Sequence, residues 1–374
     1  MIYLDHAATT PLDERVLEAM LPYLKQNFGN ASSQYALGRL SANAVISARD
    51  TIAELLGCRA EEVYFTSGGT EAGNWALKGA CAAANGKHIA VSAIEHPALI
   101  ESARDMQKFG YEVTFIQPDK DGVITPSAVE NALRQDTVFC AVMHANNETG
   151  VIQPVEEIGR LLNERGVFYY CDCVQTAGVL PVPAAYCDAL GISAHKFYGP
   201  VGFGVLYVKK GAKIKRFISG GMQERGLRGG TTNTAAAVGC AKALQLAVAS
   251  ADENNARVSA LRDNFVKRAL AEIEGAYLNG GGGKLPSHAN ISFDGCDGEN
   301  LLFLLDMKGI AVSTGSACSA GAVTPSHVLL SMGLTESRAK SAVRFTFGRN
   351  NTEEETEEVL SALKSAVNNI RKVK

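Results

Sequence analysis

No stretch of this 374-residue chain approaches the ~18 uninterrupted apolar residues that a membrane-spanning helix needs, so no such helix is expected. Neither sign of charge dominates. With 36 Lys and Arg against 39 Asp and Glu, the net charge is −3, too small a field to attract nucleic acid or an anionic membrane. The one basic run, KKGAKIKR at 209–216, reads as a solvated loop and at best hints at a docking surface. The opening MIYLDHAATTP has no basic region followed by an apolar run, so a secretory signal is not expected. Nine cysteines, an odd number without a repeating framework, argue for free thiols in a reducing cytoplasm. Cys171 and Cys173 form a C-x-C pair, but no second pair stands at metal spacing, so zinc is not expected.

Familiar nucleotide and hydrolase signatures are missing as well. GPVGFG (199–204) is G-x-x-G-x-G and leads into a strand, unlike the dinucleotide fingerprint. SGGTEAGN (67–74) lacks the Gly-Lys-Ser/Thr ending of a Walker loop. GISAH (191–195) lacks the final glycine of a G-x-S-x-G elbow.

What remains is an ordinary globular composition in a chain too long for one comfortable core, which predicts two structural domains. An amphipathic helix through Leu40, Ala44, Ala48, Ile52 and Leu55 stops at Gly57. From there to about residue 210, short apolar strands alternate with helices of 10–15 residues. The strands are EVYFTS (62–67), HIAVS (88–92), YEVTFI (111–116), TVFCAVM (137–143), FYYCD (168–172), a short one at 187–192 and GFGVLYV (202–208). This pattern predicts an α/β fold with a mostly parallel sheet between helices. A helical stretch at 234–273, a glycine-rich connector NGGGGKLP (279–286) and a closing helix from Thr352 frame a smaller α+β region.

Ligands of such sheets sit where strands end and helices begin. Lys196, in SAHKFYGPVGFG, follows a strand beside Ser193 and His195. It is either a surface lysine or an amine nucleophile of the Schiff-base kind. SGGTEAGN opens a helix with Gly69 and Thr70, which serves a phosphate or merely caps the helix. Asp172 closes FYYCD three residues before Gln175, where a carboxylate can pair with a protonated pyridine. His96, in EHPA, lies in the same row of loops. Each signal is modest, but together they suit pyridoxal phosphate chemistry. A last oddity is STGSACSAGAV (313–323), where Cys318 sits among small residues that pack poorly.

These residues resemble the NifS/IscS-type cysteine desulfurases of the class-V aminotransferase group. The likeness runs from YLDHAATTPLD through FGNASS, FTSGGTEAGN, EHPA, HANNETGVIQPVEEIG, DCVQTAG, SAHKFYGPVGFG, RGGTTN, STGSACSAG and PSHVL to VRFTFGR. It implies a fold-type-I pyridoxal phosphate enzyme and a homodimer. A large domain (14–255) would carry the cofactor, and a small domain (1–13 and 256–374) would carry the Cys318 segment. By similarity, Lys196 bonds the cofactor, Asp172 pairs with its ring nitrogen, and Gln175 and Asn147 lie near its phenolic oxygen. His96 stacks on the ring and transfers protons. Gly69, Thr70, Ser193 and His195 hold the phosphate, and Thr231 of RGGTTN reaches it from the other subunit. Arg344, with Asn147 nearby, grips the substrate carboxylate.

The implied reaction converts L-cysteine to alanine and leaves a persulfide on Cys318. An iron–sulfur scaffold or another acceptor protein then takes the sulfur. No metal site is implied, except that Cys318 could ligate a transferred iron–sulfur cluster. Two features depart from many relatives: Tyr35 replaces a histidine in SSQYALG, and cysteines flank Asp172. Selenocysteine lyase or another class-V aminotransferase is the alternative enzyme. A scaffold that only binds the cofactor is the non-enzymatic one, from which loss of Lys196 or Cys318 would be expected.

Overall fold

A computed structural model of the chain describes residues 1–315 and 324–373. Twelve strands are β1 (Ile2–Tyr3), β2 (Val63–Thr66), β3 (His88–Ser92), β4 (Glu112–Ile116), β5 (Thr137–Ala141), β6 (Phe168–Asp172), β7 (Ala189–Ser193), β8 (Gly204–Val208), β9 (Ala276–Leu278), β10 (His288–Phe293), β11 (Ile310–Ala311) and β12 (Ala342–Thr346). Seven form one sheet in the order β2-β8-β7-β6-β5-β3-β4. The five strands from β4 to β7 in that order pair in parallel, and β8 runs antiparallel to both β7 and β2. Consequently β2, β3, β5, β6 and β7 all finish on the same edge, where their outgoing loops converge.

Every residue of β3, β7 and β8 is buried, as expected of strands covered on both faces. On one face Trp75 and Leu77, from the helix Gly69–Ala83, pack with Leu99, Met106, Phe139 and Tyr170. On the other, Ile158 and Leu162 pack with Cys171, Leu190 and Val205. The helix Ala36–Leu56 ends at Gly57 with φ 67°, a left-handed cap that glycine adopts without strain.

A separate core gathers Phe265, Phe293, Phe345, Phe347 and Leu363 around the antiparallel sheet β12-β10-β9. Ile2 and Leu4 join this core, and β1 pairs with β11, so the first residues pack with the last third of the chain. The helical stretch expected at 234–273 is two helices, Thr234–Ala249 and Ala251–Glu272, bent by 69°. Ser250 makes the corner. Its hydroxyl donates to the Leu246 carbonyl at 2.9 Å and accepts from Asn254 Nδ2 at 2.8 Å. The helix Glu14–Lys25, capped by Asp13, was not anticipated from the sequence.

Among the described residues, no single helix is long and apolar enough to cross a membrane. In the basic run, the lysines are exposed while Ile214 packs on Gly79 and the Lys215 carbonyl accepts the Trp75 indole N–H at 3.0 Å. The run is a loop pinned from beneath.

Candidate active site

Lys196 ends a 3₁₀ turn, Ala194–Lys196, that leaves β7. Two residues on, Tyr198 takes φ 65°, a conformation unusual for a residue with a side chain. Thr10 Oγ1 accepts the Tyr198 N–H at 2.8 Å, the Tyr198 hydroxyl accepts the Arg349 N–H at 3.1 Å, and the Arg349 guanidinium lies 3.8 Å over the ring. So braced, the turn sends the Lys196 side chain back to the N-terminal segment. Its Nζ donates to the carbonyls of Ala7 at 2.6 Å and Ala8 at 2.7 Å. Gln175 Nε2 donates to the same Ala7 oxygen at 3.0 Å.

Asp172 closes β6, next to β7, and its Oδ1 accepts the Val174 N–H at 2.9 Å. Burial pushes its carboxyl up to about 6, against the pull of that N–H and of the nearby Lys196 charge. His96 caps the helix Pro97–Gln107, its Nδ1 accepting the Ala98 N–H at 3.2 Å. That acceptance places the ring proton on Nε2. Burial, then the charges of Lys196, His327 and Arg344, lower the His96 imidazole to about 4, so it is neutral at pH 7. Preceding it, Glu95 is fully buried. Its Oε1 accepts the Met143 N–H at 2.6 Å, and burial followed by repulsion from Asp172 raises its carboxyl to about 8.

The loop after β2 turns through Gly68, φ 152°, into the helix Gly69–Ala83. A Cβ on Gly69 would fall 2.6 Å from Val174, and one on Gly68 would face Ser193 Oγ at 3.5 Å. The backbone therefore comes close to the ends of β6 and β7, and a 15-residue helix presents its N-terminus there. His195 Nδ1 meets the Thr9 hydroxyl at 3.1 Å, and burial and Lys196 lower its imidazole to about 4. Thr70 is exposed at this helix start. Thr231 is exposed too, three residues beyond Arg228, whose guanidinium grips Glu71 in the helix's first turn at 2.9 and 3.1 Å.

Arg344, on β12, faces the loop after β5. Its Nη1 donates to the Asn147 carbonyl at 2.9 Å and its Nη2 to Asp5 Oδ1 at 2.8 Å. Its backbone pairs with Ser313 in both directions. Beside Asn147, the buried Glu148 accepts the Ser326 hydroxyl at 2.5 Å. A Cβ on Gly315 would fall 2.0 Å from the same Glu148 oxygen. Cys318 itself lies outside the described residues. Cys171 and Cys173 are buried with their sulfurs 3.8 Å apart, and among the described residues no cluster suits a metal ion.

Asp5, Glu95, Glu148 and Ser326 were not anticipated as part of this region. All four stand inside motifs already singled out (YLDHAATTPLD, EHPA, HANNETG and PSHVL), but a buried carboxylate leaves no trace of its partner in the sequence. A cavity of about 100 Å³ is lined by His6, Gln175, Lys196, Asn254, His288 and Arg349 among others, while Asp172 and His96 do not line it.

The donor set fits pyridoxal phosphate. A lysine and a carboxylate follow adjacent parallel strands, a histidine within electrostatic reach of the lysine caps the helix after β3, and a glycine turn opens a helix N-terminus close to the ends of both strands. The protein is a pyridoxal-phosphate enzyme of this sheet architecture. Residues 2–359 match the aminotransferase class-V family, and the chain belongs to that family. It is 42% identical over 377 residues to a protein named cysteine desulfurase IscS from Dictyoglomus turgidum, covering all of this chain and 96% of that one. A protein of the same name from Methanosarcina thermophila is 42% identical, over 99% and 93% of the two chains. A solved NifS-like protein superposes with a TM-score of 0.91 at 34% identity, covering 97% and 98%.

Proposed function

We propose that this protein is a cysteine desulfurase, which converts L-cysteine to L-alanine and delivers the sulfur, as a persulfide on Cys318, to an acceptor for iron–sulfur cluster or related assembly. The observation that carries this reading is the placement of Lys196 and Asp172 just past and at the ends of neighbouring strands, in a chain matched along its whole length by cysteine desulfurases. Bound pyridoxal phosphate supplies an electron sink for the carbon that bears the amino group.

The chain's own residues do the rest. Lys196 would hold the cofactor through its amine, and that amine is the group that would take the Cα proton. Asp172 would hold a negative charge against the ring nitrogen, and Gln175 and Asn147 would hold the phenolic oxygen. His96 would stack on the ring, its Nε2 proton available. Gly69, Thr70, Ser193 and His195 hold the phosphate, and Thr231 completes the cradle from a second copy in a homodimer. Arg344 binds the substrate carboxylate. The Cys318 thiolate attacks the substrate sulfur: an S–S bond forms, the C–S bond breaks, and the electron pair stays with the carbon that becomes the methyl group of alanine.

The second core supports dividing the chain into a large unit, 14–255, and a small one, 1–13 with 256–374. We place the enzyme in the cytoplasm, since its buried cysteines are free thiols and a reducing compartment keeps them so.

Mass spectrometry after one turnover tests the reading. A peptide containing Cys318 should gain one sulfur, and Cys318→Ala should keep the cofactor's absorption while releasing no sulfide from cysteine. Sulfide release by that variant at the wild-type rate would overturn the persulfide role.

A further inference from the structure

Arg344 is one of the least exposed cations in the molecule, with its side chain 7% accessible, and it does not wait alone for substrate. Asp5, 18% accessible, already sits against it. The pairing is built into the backbone: Thr346 N donates to the Leu4 carbonyl at 2.7 Å, and Asp5 bridges to Thr346 in parallel register. The Tyr3 hydroxyl and the Ala8 N–H both donate to the Asp5 carbonyl at 3.0 Å, which fixes the residue that presents the carboxylate. With one N–H of Nη1 on the Asn147 carbonyl and one of Nη2 on Asp5, three of the guanidinium's five N–H donors remain. Its Nε is buried and has no partner among the described residues.

A buried guanidinium with no counter-charge is strongly unfavourable, so an internal carboxylate preserves the fold when no substrate is present. It also fixes the plane of the fork, leaving the second N–H of each Nη as a donor for a further acceptor. The cost falls on binding, because an arriving carboxylate meets a cation already partly neutralised. We propose that Asp5 is a positioning residue that shares Arg344 with the substrate's carboxylate and sets how tightly that carboxylate is held. This inference rests on the reading of Arg344 as the carboxylate site.

The test is titration of the cofactor absorption of the holoenzyme with L-alanine and with ethylamine, which is alanine without its carboxylate. The ratio of the two dissociation constants isolates the carboxylate's contribution. Asp5→Asn keeps an oxygen for Nη2 and removes only the charge. It should tighten L-alanine on the order of tenfold and leave ethylamine unchanged, because the lost charge acts only on the carboxylate. Asp5→Ser should shift the ratio in the same direction, and serves if the Asn variant does not fold. Both effects should vanish on an Arg344→Gln background. If Arg344→Gln leaves the wild-type ratio unchanged, the carboxylate-site reading fails and this inference falls with it. If Arg344→Gln abolishes the preference for alanine while the Asp5 variants keep the wild-type ratio, the inference about Asp5 alone is overturned.

Discussion

The Lys196 ammonium donates to the Ala7 carbonyl at 2.6 Å, joining the end of β7 to a segment 189 residues earlier in the chain. The stretch from Asp5 to Ala8 therefore touches both Lys196 and Arg344, two cations of the candidate site. Lys196→Ala removes the amine proposed to carry the cofactor. The purified variant should lose the cofactor's protein-bound absorption on desalting, and its turnover should fall by at least ~10³-fold. Absorbance spectra before and after desalting check this.

Asp172 offers a pH signature. Its carboxyl is raised to about 6 because it is buried, so acid neutralises it while ordinary surface carboxylates remain charged. The apoprotein's affinity for pyridoxal phosphate should weaken as pH falls through that range, where the negative charge proposed to face the ring nitrogen disappears. Asp172→Asn keeps an oxygen for the Val174 N–H and removes the charge. It should bind more weakly at pH 8 and show no inflection near 6 in a fluorescence titration with the cofactor.

Glu95 makes a prediction about stability. Its carboxyl is raised from 4.5 to about 8 in the fold, chiefly by burial, so the folded state holds the proton more tightly than the unfolded chain does. The stability contributed by that proton is complete below pH 4.5 and is lost as pH rises through about 8. Glu95→Gln keeps an acceptor for the Met143 N–H without ionising. Melting temperatures of the apoproteins should show the variant gaining on wild type by several degrees between pH 5 and pH 9. Equal melting differences at both pH values would count against a buried, titrating Glu95.

Gly315 tests the stem of the Cys318 segment. A Cβ there would fall 2.0 Å from Glu148 Oε2 and 3.2 Å from Ser326 Cβ, both in fully packed positions. Gly315→Ala should destabilise the protein by ~1–3 kcal/mol, as overpacking does. It should slow sulfide release more than it disturbs the cofactor's absorption. Denaturant titration and single-turnover assays on one preparation separate the two effects.

Much of the sheet was legible because buried parallel strands are written as short apolar runs between helices. FYYCD and HIAVS match β6 and β3 residue for residue at 168–172 and 88–92. Lys196, Asp172 and His96 were legible because a parallel sheet sends functional loops to one edge. The bend at Ser250 was not, since helical periodicity continues through a corner made by one hydroxyl. Asp5 and Glu148 were not, because their partners lie 339 and 178 residues away.

By itself, then, the sequence determined the alternation of strands and helices, the identity of the lysine, aspartate and histidine at the strand ends, and the glycines that let backbone approach backbone. These are local properties, set by periodicity and by what each side chain allows its own backbone to do. Only the tertiary structure decided which charges meet. Arg344 is paired with Asp5, Glu148 lies under Gly315 and Ser326, and Lys196 rests on Ala7, because the first residues lie along β12 and the last third of the chain closes over the loop after β5. Electrostatic partners are chosen by distance and burial, and both arise only when the chain has folded back on itself.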